Sequence, residues 1–389
     1  MNVTQQGVVA LLKSAITGEK AAVPEQFDIA QAGPVLRKHS ITAMAYAGAL
    51  NCGIDKQLPV MQKLRLDYGA SLVKSQGQLR DIQRVCRAFE DNGIDYLPLK
   101  GCNMKPMYPS HELRSMGDAD ILIRQAQYDQ IRPIMQQLGF KETTENDHEL
   151  VWQSDALYLE LHKKLIPSSS DDYYAYYGDG WKFAKPLQGN RYAMSAEDEF
   201  VFLFTHFTKH YRDSGIGCRH VVDLWVYLNK HPDMDMAYVR QELKKLKLLA
   251  FYENIHRTIL GWFEGGDMDD ATELITQVIF ANGNWGSSKN HMLYEVVQSR
   301  KKSGSAGKGK LKWFFELVFL PYKTMRYRYP VLQRCPVLLP VYWVVRWWDI
   351  LLHKRKNITQ KYGYFAEVTE EDVASHEKAL AFVGLTFDE

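Results

Sequence analysis

Asp118 and Asp120 stand two residues apart at the head of an apolar run, Asp118-Ala119-Asp120-Ile121-Leu122-Ile123. In a strand, alternate side chains share a face, so both carboxylates point one way while Ala119, Ile121 and Ile123 point the other. Like charges held that close repel one another, and a hard cation relieves the repulsion. Mg²⁺ is typically bound by one or two carboxylates together with substrate phosphates. A third carboxylate on a neighbouring strand would let two ions bridge the attacking and leaving oxygens of a phosphoryl displacement. Leu157-Tyr158-Leu159-Glu160-Leu161-His162 reads as such a strand, bounded by Asp155 and by the Pro167-Ser168-Ser169-Ser170 loop, and Glu160 is its only acid. The plain alternative is a solvated strand edge. Against it stand the apolar flanks, which put the pair at the mouth of a buried sheet.

A second group of candidates is cationic. Leu97-Pro98-Leu99-Lys100-Gly101 reads as a short apolar strand followed by a glycine turn, and Lys105 and Arg114 lie between that turn and Asp118. Further on, His206 and His210 are four apart and share a helix face, as do Arg219 and Asp223 after the Gly215-Ile216-Gly217 turn. The histidine pair lacks the glutamate that a metalloprotease helix carries beside its first histidine, since Phe207, Thr208 and Lys209 intervene. Packing and a role at a ligand cleft remain as its two readings.

The elements that must position these residues follow from periodicity. Residues 1–92 read as a helical region, with Leu58, Met61, Leu64, Tyr68, Leu72, Leu79, Ile82, Val85 and Phe89 broadly at helical spacing and Asn92-Gly93 closing the last helix. Residues 93–192 read as an α/β core: strand, turn, strand, a helix over 126–138 with Pro133 inside it, then two strands, then a polar, tyrosine-rich loop or lid over 167–192. Residues 193–298 read as a helical domain in which Ser195 caps a helix over 197–212. Residues 299–389 form a basic, aromatic C-terminal region with an acidic tail. The expected fold class is α+β: a small mixed sheet flanked by an N-terminal helical region and a C-terminal all-α domain.

Composition bounds the setting. The chain has 389 residues, 46% of them hydrophobic and 24% charged, enough for two globular domains. Cys52, Cys86, Cys102, Cys218 and Cys335 are scattered and form no Cys-x-x-Cys pair, which argues against a disulfide framework or a cysteine zinc site and fits a reducing compartment. The first residues show no basic stretch leading into a long apolar run, so no signal peptide is expected. Net charge is +2, but Arg300 to Lys356 carries fourteen Lys and Arg against Glu316 and Asp349. Ser303-Gly304-Ser305-Ala306-Gly307-Lys308-Gly309-Lys310 fails the register of a phosphate-binding P-loop and reads as a basic linker. The aromatic and basic residues after it allow three roles: helices packed on the body, contact with a polyanion such as RNA, or contact with an anionic membrane surface. The apolar run around Val337 to Val345 is too short for a transmembrane span.

Leu99-Lys100-Gly101, Leu113-Arg114, Gly117-Asp118-Ala119-Asp120-Ile121-Leu122-Ile123, Leu138-Gly139-Phe140 and Glu160-Leu161-His162 together resemble the uncharacterised bacterial nucleotidyltransferase family, within the polymerase-beta-like superfamily. The resemblance implies an enzyme that transfers a nucleoside monophosphate from an NTP to an acceptor hydroxyl, releasing pyrophosphate. It makes Asp118, Asp120 and Glu160 catalytic ligands of Mg²⁺ or Mn²⁺, with Glu160 helping to deprotonate the acceptor. It puts Lys100, Gly101, Cys102, Arg114, His206, His210, Arg219 and Asp223 at the nucleotide, with Asp223 orienting Arg219 toward phosphate. The sequence departs from the superfamily in two places: Cys102 stands where a second glycine or a serine is usual, and the connection from Gly101 to Asp118 is long. Backbone N–H groups, Lys100, Lys105 and Arg114 are then the expected phosphate contacts. The expected acceptor is RNA or a small hydroxylated molecule, and the expected location is cytoplasmic or peripheral at the inner membrane face. The rival functions are a non-catalytic nucleotide-binding protein on the same fold and a toxin-like enzyme that modifies tRNA.

Overall fold

A computed structural model describes residues 1–168, 170–284, 286–287, 290–294, 296–297, 315, 318–353 and 369–385. The Ser303–Lys310 linker, the aromatic positions Trp313 and Phe314, and the basic cluster at 354–356 lie outside the described residues. The chain divides into two compact units, one holding residues 1–208 and 216–284, the other residues 209–215 and the described part of 285–386.

The first unit begins with four helices: α1 (Val3–Thr17), α2 (Ile29–Lys38), α3 (Thr42–Asn51) and the long α4 (Pro59–Asp91). Asn2 caps α1 reciprocally with Gln5. After α4 the backbone of Gly93 turns left-handed, at φ +66°. The sheet starts immediately afterwards.

Seven strands form one mixed sheet: β1 (Tyr96–Leu99), β2 (Asp118–Ile123), β3 (Lys141–Glu145), β4 (Glu149–Gln153), β5 (Tyr158–His162), β6 (Lys185–Gln188) and β7 (Arg191–Ala193). Their order is β3-β4-β5-β2-β1-β7-β6, which puts β2 in the middle. It runs antiparallel to β1 and parallel to β5, with Asp118 beside Tyr158 and Asp120 beside Glu160. One face of the sheet is the core: Ala119, Ile121, Ile123, Leu159 and Leu161 pack with Val85 and Phe89 of α4 and with Ile131, Ile134 and Met135 of α6 (Tyr128–Gln137). Pro133 is accommodated inside α6, which starts two residues later than the pattern suggests.

The connection from β1 to β2 is long but packed. It contains the single-turn helix α5 (Gly101–Met104) and two 3₁₀ turns, Lys105–Met107 and His111–Leu113. Tyr68 and Ser71 of α4 donate to Glu112, at 2.5 Å to its carboxylate and 2.7 Å to its carbonyl, and Gln78 donates to the Met116 carbonyl at 3.0 Å. The stretch over 167–192, read from sequence as a loop, instead holds α7 (Asp171–Tyr177) and the β6–β7 hairpin. Glycine and tyrosine content suggested irregular chain, but pairing of β7 with β1 extends the sheet. Helices α8 (Ala196–Asp213), α9 (Cys218–Lys230), α10 (Met236–Lys245), α11 (Leu249–Ile259) and α12 (Asp270–Asn282) follow. Ser195 does cap α8, its hydroxyl accepting from the Asp198 N–H at 3.1 Å.

In the second unit the helix Leu339–His353 is the longest element between residues 318 and 385. Trp343 and Trp347 stack edge-on against Phe319 and donate to the Leu320 and Val318 carbonyls. Val341, Val344, Val345, Trp348 and Leu352 remain exposed. No helix among the described residues is long and apolar enough to cross a membrane.

Candidate active site

The face of the sheet opposite the core carries Asp118 and Asp120 from β2 and Glu160 from β5. The parallel register sets Asp120 directly beside Glu160. The same alternation that selects Glu160 selects His162, two residues on, and sequence reading gave that histidine no role. The antiparallel register of β4 then sets Glu149 beside His162. Glu149 was missed too, because its place depends on which strand pairs with β5.

Asp120 is buried, and its Oδ1 accepts from Lys100 Nζ at 2.9 Å and lies 2.8 Å from His162 Nε2. Burial opposes ionisation of this carboxyl, but Lys100 and His162 outweigh it and hold Asp120 well below the usual carboxylate range. Asp118 goes the other way: burial and the neighbouring Asp120 push its carboxyl up. The Glu149 carboxyl is likewise raised, by burial and then by Glu160. Burial would drive a proton off His162, yet its contacts with Asp120 and Glu160 prevail and raise its affinity for one. Glu160 Oε2 lies 3.5 Å from His162 Nε2. The site is thus a cluster of four carboxylates around the Lys100 ammonium and the His162 imidazole, with His148 beside the latter.

Lys100 reaches Asp120 by an unusual backbone. Its φ is +38°, a left-handed value that a non-glycine residue adopts only under constraint. The left-handed residue of the turn is therefore Lys100 and not Gly101. Gly101 is required for space: a Cβ there would lie 3.0 Å from Met116 Sδ and 3.4 Å from Arg114 Nη1. Lys100, expected at phosphate, is in this structure the counter-ion of Asp120. Cys102 is half-buried, and burial followed by Asp120 raises its thiol far above the usual range, so it stays a neutral thiol.

A second cluster lies at the end of the β1–β2 connection. Arg114 is buried and grips Asp223 of α9 through two parallel bonds, Nε to Oδ1 at 2.7 Å and Nη2 to Oδ2 at 2.9 Å. Tyr108 donates to the same carboxylate at 2.7 Å. Asp223 therefore orients Arg114, whereas the helical spacing suggested Arg219. Arg219 donates instead to the Ser115 carbonyl at 2.7 Å and Asn284 Oδ1 at 3.0 Å. Burial and the neighbouring Arg114 lower its hold on its proton. Lys105 is buried and donates to the Arg114 carbonyl at 2.8 Å. Burial, then Arg114, Lys74 and Arg219, lower its ammonium to about 8. Arg114 Nη1 is buried with no hydrogen-bond partner among the described residues, and it faces the Gly101 turn.

His206 and His210 lie half-buried one turn apart on α8. Among the described residues, the histidines grouped closely enough with acids to share an ion are His148 and His162.

The sequence matches the family described as uncharacterised nucleotidyltransferase over residues 25–264, well over half of the chain. The chain belongs to that family. Family membership covers the whole of α4, the sheet and helices α8 to α11, so the carboxylate pit and the Arg114 cluster both fall inside it. No curated protein matches. One solved structure, titled "Solution Structure of Antibiotic-Resistance Factor ANT(2'')-Ia Reveals Substrate-Regulated Conformation Dynamics", is similar at 11% identity with a TM-score of 0.32, covering 49% of this chain and 99% of its own.

Proposed function

We propose that this nucleotidyltransferase-family chain transfers a nucleoside monophosphate from an NTP to an acceptor hydroxyl, with Asp118, Asp120 and Glu160 as the acidic triad. The observation that carries the reading is the alignment of the three carboxylates on one face at the centre of the sheet, in a chain of this family. Asp120 and Glu160 lie close enough together, with His162, to share a divalent cation, and Asp118 stands two residues from Asp120 on the same face. The acids share one face, Asp118 and Glu149 are disfavoured as anions first by burial and then by a neighbouring acid, and Lys100 and His162 already bring positive charge to Asp120. Mg²⁺ or Mn²⁺ held by Asp118, Asp120 and Glu160 would supply charge neutralisation at the phosphates.

The chain's own residues supply the rest. Arg114, fixed by Asp223 and Tyr108, directs its unsatisfied Nη1 toward the Gly101 turn, where a phosphate oxygen would complete its bonding. Lys105 and Arg219 add positive potential at that turn. Lys100 is the group that would yield Asp120 Oδ1 when a cation arrives, since its Nζ occupies that oxygen at 2.9 Å. Glu160, a quarter exposed, is the acid placed to accept the acceptor's proton. Positioning and electrostatics account for most catalysis in phosphoryl transfer, and these are what the two clusters provide.

The test is incubation with each labelled NTP and Mg²⁺ or Mn²⁺ against total RNA and small hydroxylated molecules, followed by mass spectrometry of whatever gains a nucleotide. Label transfer by the wild type that is lost in Asp118→Asn with Glu160→Gln supports the reading, and transfer that survives both changes refutes it. The non-catalytic alternative draws on Lys100 and His162 already satisfying Asp120. It requires NTP binding heat that is unchanged by metal, with no labelled product from any acceptor.

A further inference from the structure

Beside the catalytic carboxylates, β4 and β5 bring together His148, Glu149 and His162. His148 Nε2 and His162 Nδ1 are 2.9 Å apart, and Glu149 Oε2 lies 3.8 Å from the first and 3.9 Å from the second. The nearest point equidistant from these three atoms, in their own plane, is about 2.1 Å from each, close to the bond length that Zn²⁺ takes to imidazole nitrogen and carboxylate oxygen. We propose that His148, Glu149 and His162 form a binding site for a divalent transition-metal ion of the zinc class, separate from the Asp118, Asp120 and Glu160 triad.

The outer contacts of the ligands support the assignment. A metal-bound histidine usually gives its other ring nitrogen to a carboxylate. His162 does so: Nε2 contacts Asp120 Oδ1 at 2.8 Å, leaving Nδ1 directed at the site. A liganding carboxylate is commonly held through its second oxygen, and Glu149 Oε1 accepts from Asn146 Nδ2 at 3.1 Å while Oε2 faces the histidines. The same Asn146 accepts from the backbone N–H groups of His148 and Glu149, at 2.7 and 2.9 Å, fixing the turn that carries both ligands. Two nitrogens and one oxygen favour zinc, nickel, copper or iron over magnesium, whose ligands are oxygens. His162 is 2% exposed, whereas His148 and Glu149 are 15% and 21% exposed, so two of the three ligands are reachable from solvent. On binding, the ion takes the place of the proton between the two ring nitrogens, which passes to the other nitrogen of its own ring if both imidazoles are neutral, or to buffer if one is an imidazolium.

The site rests on its own residues and does not depend on nucleotidyl transfer. The experiment uses the full chain stripped with a chelator and titrated with Co²⁺, whose visible absorption reports coordination, and then with Zn²⁺. One equivalent of Co²⁺ should give a tetrahedral-type spectrum, displaced by Zn²⁺ and unaffected by millimolar Mg²⁺. His148→Ala should abolish the spectrum and weaken Zn²⁺ binding more than about 100-fold, and Glu149→Gln should weaken it about 10- to 100-fold. Both variants should keep the wild-type circular dichroism. Asp118→Asn, which alters the catalytic triad alone, should retain the spectrum. Absence of the spectrum in wild type, its displacement by Mg²⁺, its loss in Asp118→Asn, or its persistence in His148→Ala each overturns the proposal. A folding defect in His148→Ala shifts the decision to Glu149→Gln, in which wild-type Zn²⁺ affinity is likewise fatal to it.

Discussion

Two clusters of buried charge meet the β1–β2 connection, and they carry opposite excess. At one end Asp118, Asp120, Glu149 and Glu160 surround Lys100 and His162. At the other, Arg114, Lys105 and Arg219 surround Asp223. In both, one central ion pair is well made and a like-charged neighbour is left under strain: Asp118 in the first, Lys105 in the second. Under the proposed function, the first would take a cation and the second an anion. A structural salt-bridge network would be expected to balance within itself, since burying uncompensated charge is costly. On that reading, the two clusters together would face a metal-bound triphosphate.

The comparison can be broken at several points. Asp118→Asn with Glu160→Gln should lower transfer by about 10³-fold or more, the scale on which charge-stabilising groups act in phosphoryl transfer. A loss below tenfold in single-turnover assays would mean that the pit is not catalytic. Asp223→Ala should strand Arg114 as a buried uncompensated charge and reduce folding stability by about 3–5 kcal/mol, measured by urea unfolding. An unchanged midpoint would show that the Arg114 pair is not the tie between the connection and α9.

The strain itself is measurable by pH. Lys105 holds its proton more weakly when folded, at about 8 against the usual 10.5. Below pH 8 it is charged in both states, and the full penalty of burying the ammonium is present. Between pH 8 and 10.5 the unfolded chain binds the extra proton, so stability should rise with pH across that window, by on the order of 3 kcal/mol. Lys105→Met should flatten the rise, and a parallel slope in the variant would assign it to other groups. The smallest effect mirrors this in the negative cluster. Burial and the neighbouring Asp120 raise the folded-state pKa of Asp118 above its unfolded value, so its contribution to stability declines as pH climbs through that range. Asp118→Asn should therefore stabilise the metal-free protein above that pH range while impairing transfer, a trade-off common where a site stores strain. Thermal melts in chelator and in excess Mg²⁺ check it, because the gain should shrink or reverse when cation is present.

Much of the site was legible because it depends on local periodicity. The two-residue repeat of a strand placed Asp118 and Asp120 on one face and Glu160 on one face of its own strand, whatever the rest of the fold. It also implied His162, two residues beyond Glu160, and that signal was available but unused. The helix closed at Asn92-Gly93 and the cap at Ser195 were likewise readable, because each is settled by the chemistry of a few neighbouring residues. The 167–192 stretch was not readable as helix and hairpin, since β7 is a strand through its pairing with β1 and not through its own pattern.

The sequence by itself determined which residues could carry the chemistry and which side of their own elements they occupy, because alternation and helical spacing are properties of the backbone. Tertiary structure alone decided who meets whom. It paired Asp223 with Arg114 across 109 positions and not with Arg219 four residues away, and it moved the left-handed residue from Gly101 to Lys100. It also brought His148 and Glu149 to His162 through the β4–β5 register. The physical reason is that buried charges select partners by distance and geometry in three dimensions, where desolvation makes each unmatched group expensive, and sequence spacing carries no record of that choice.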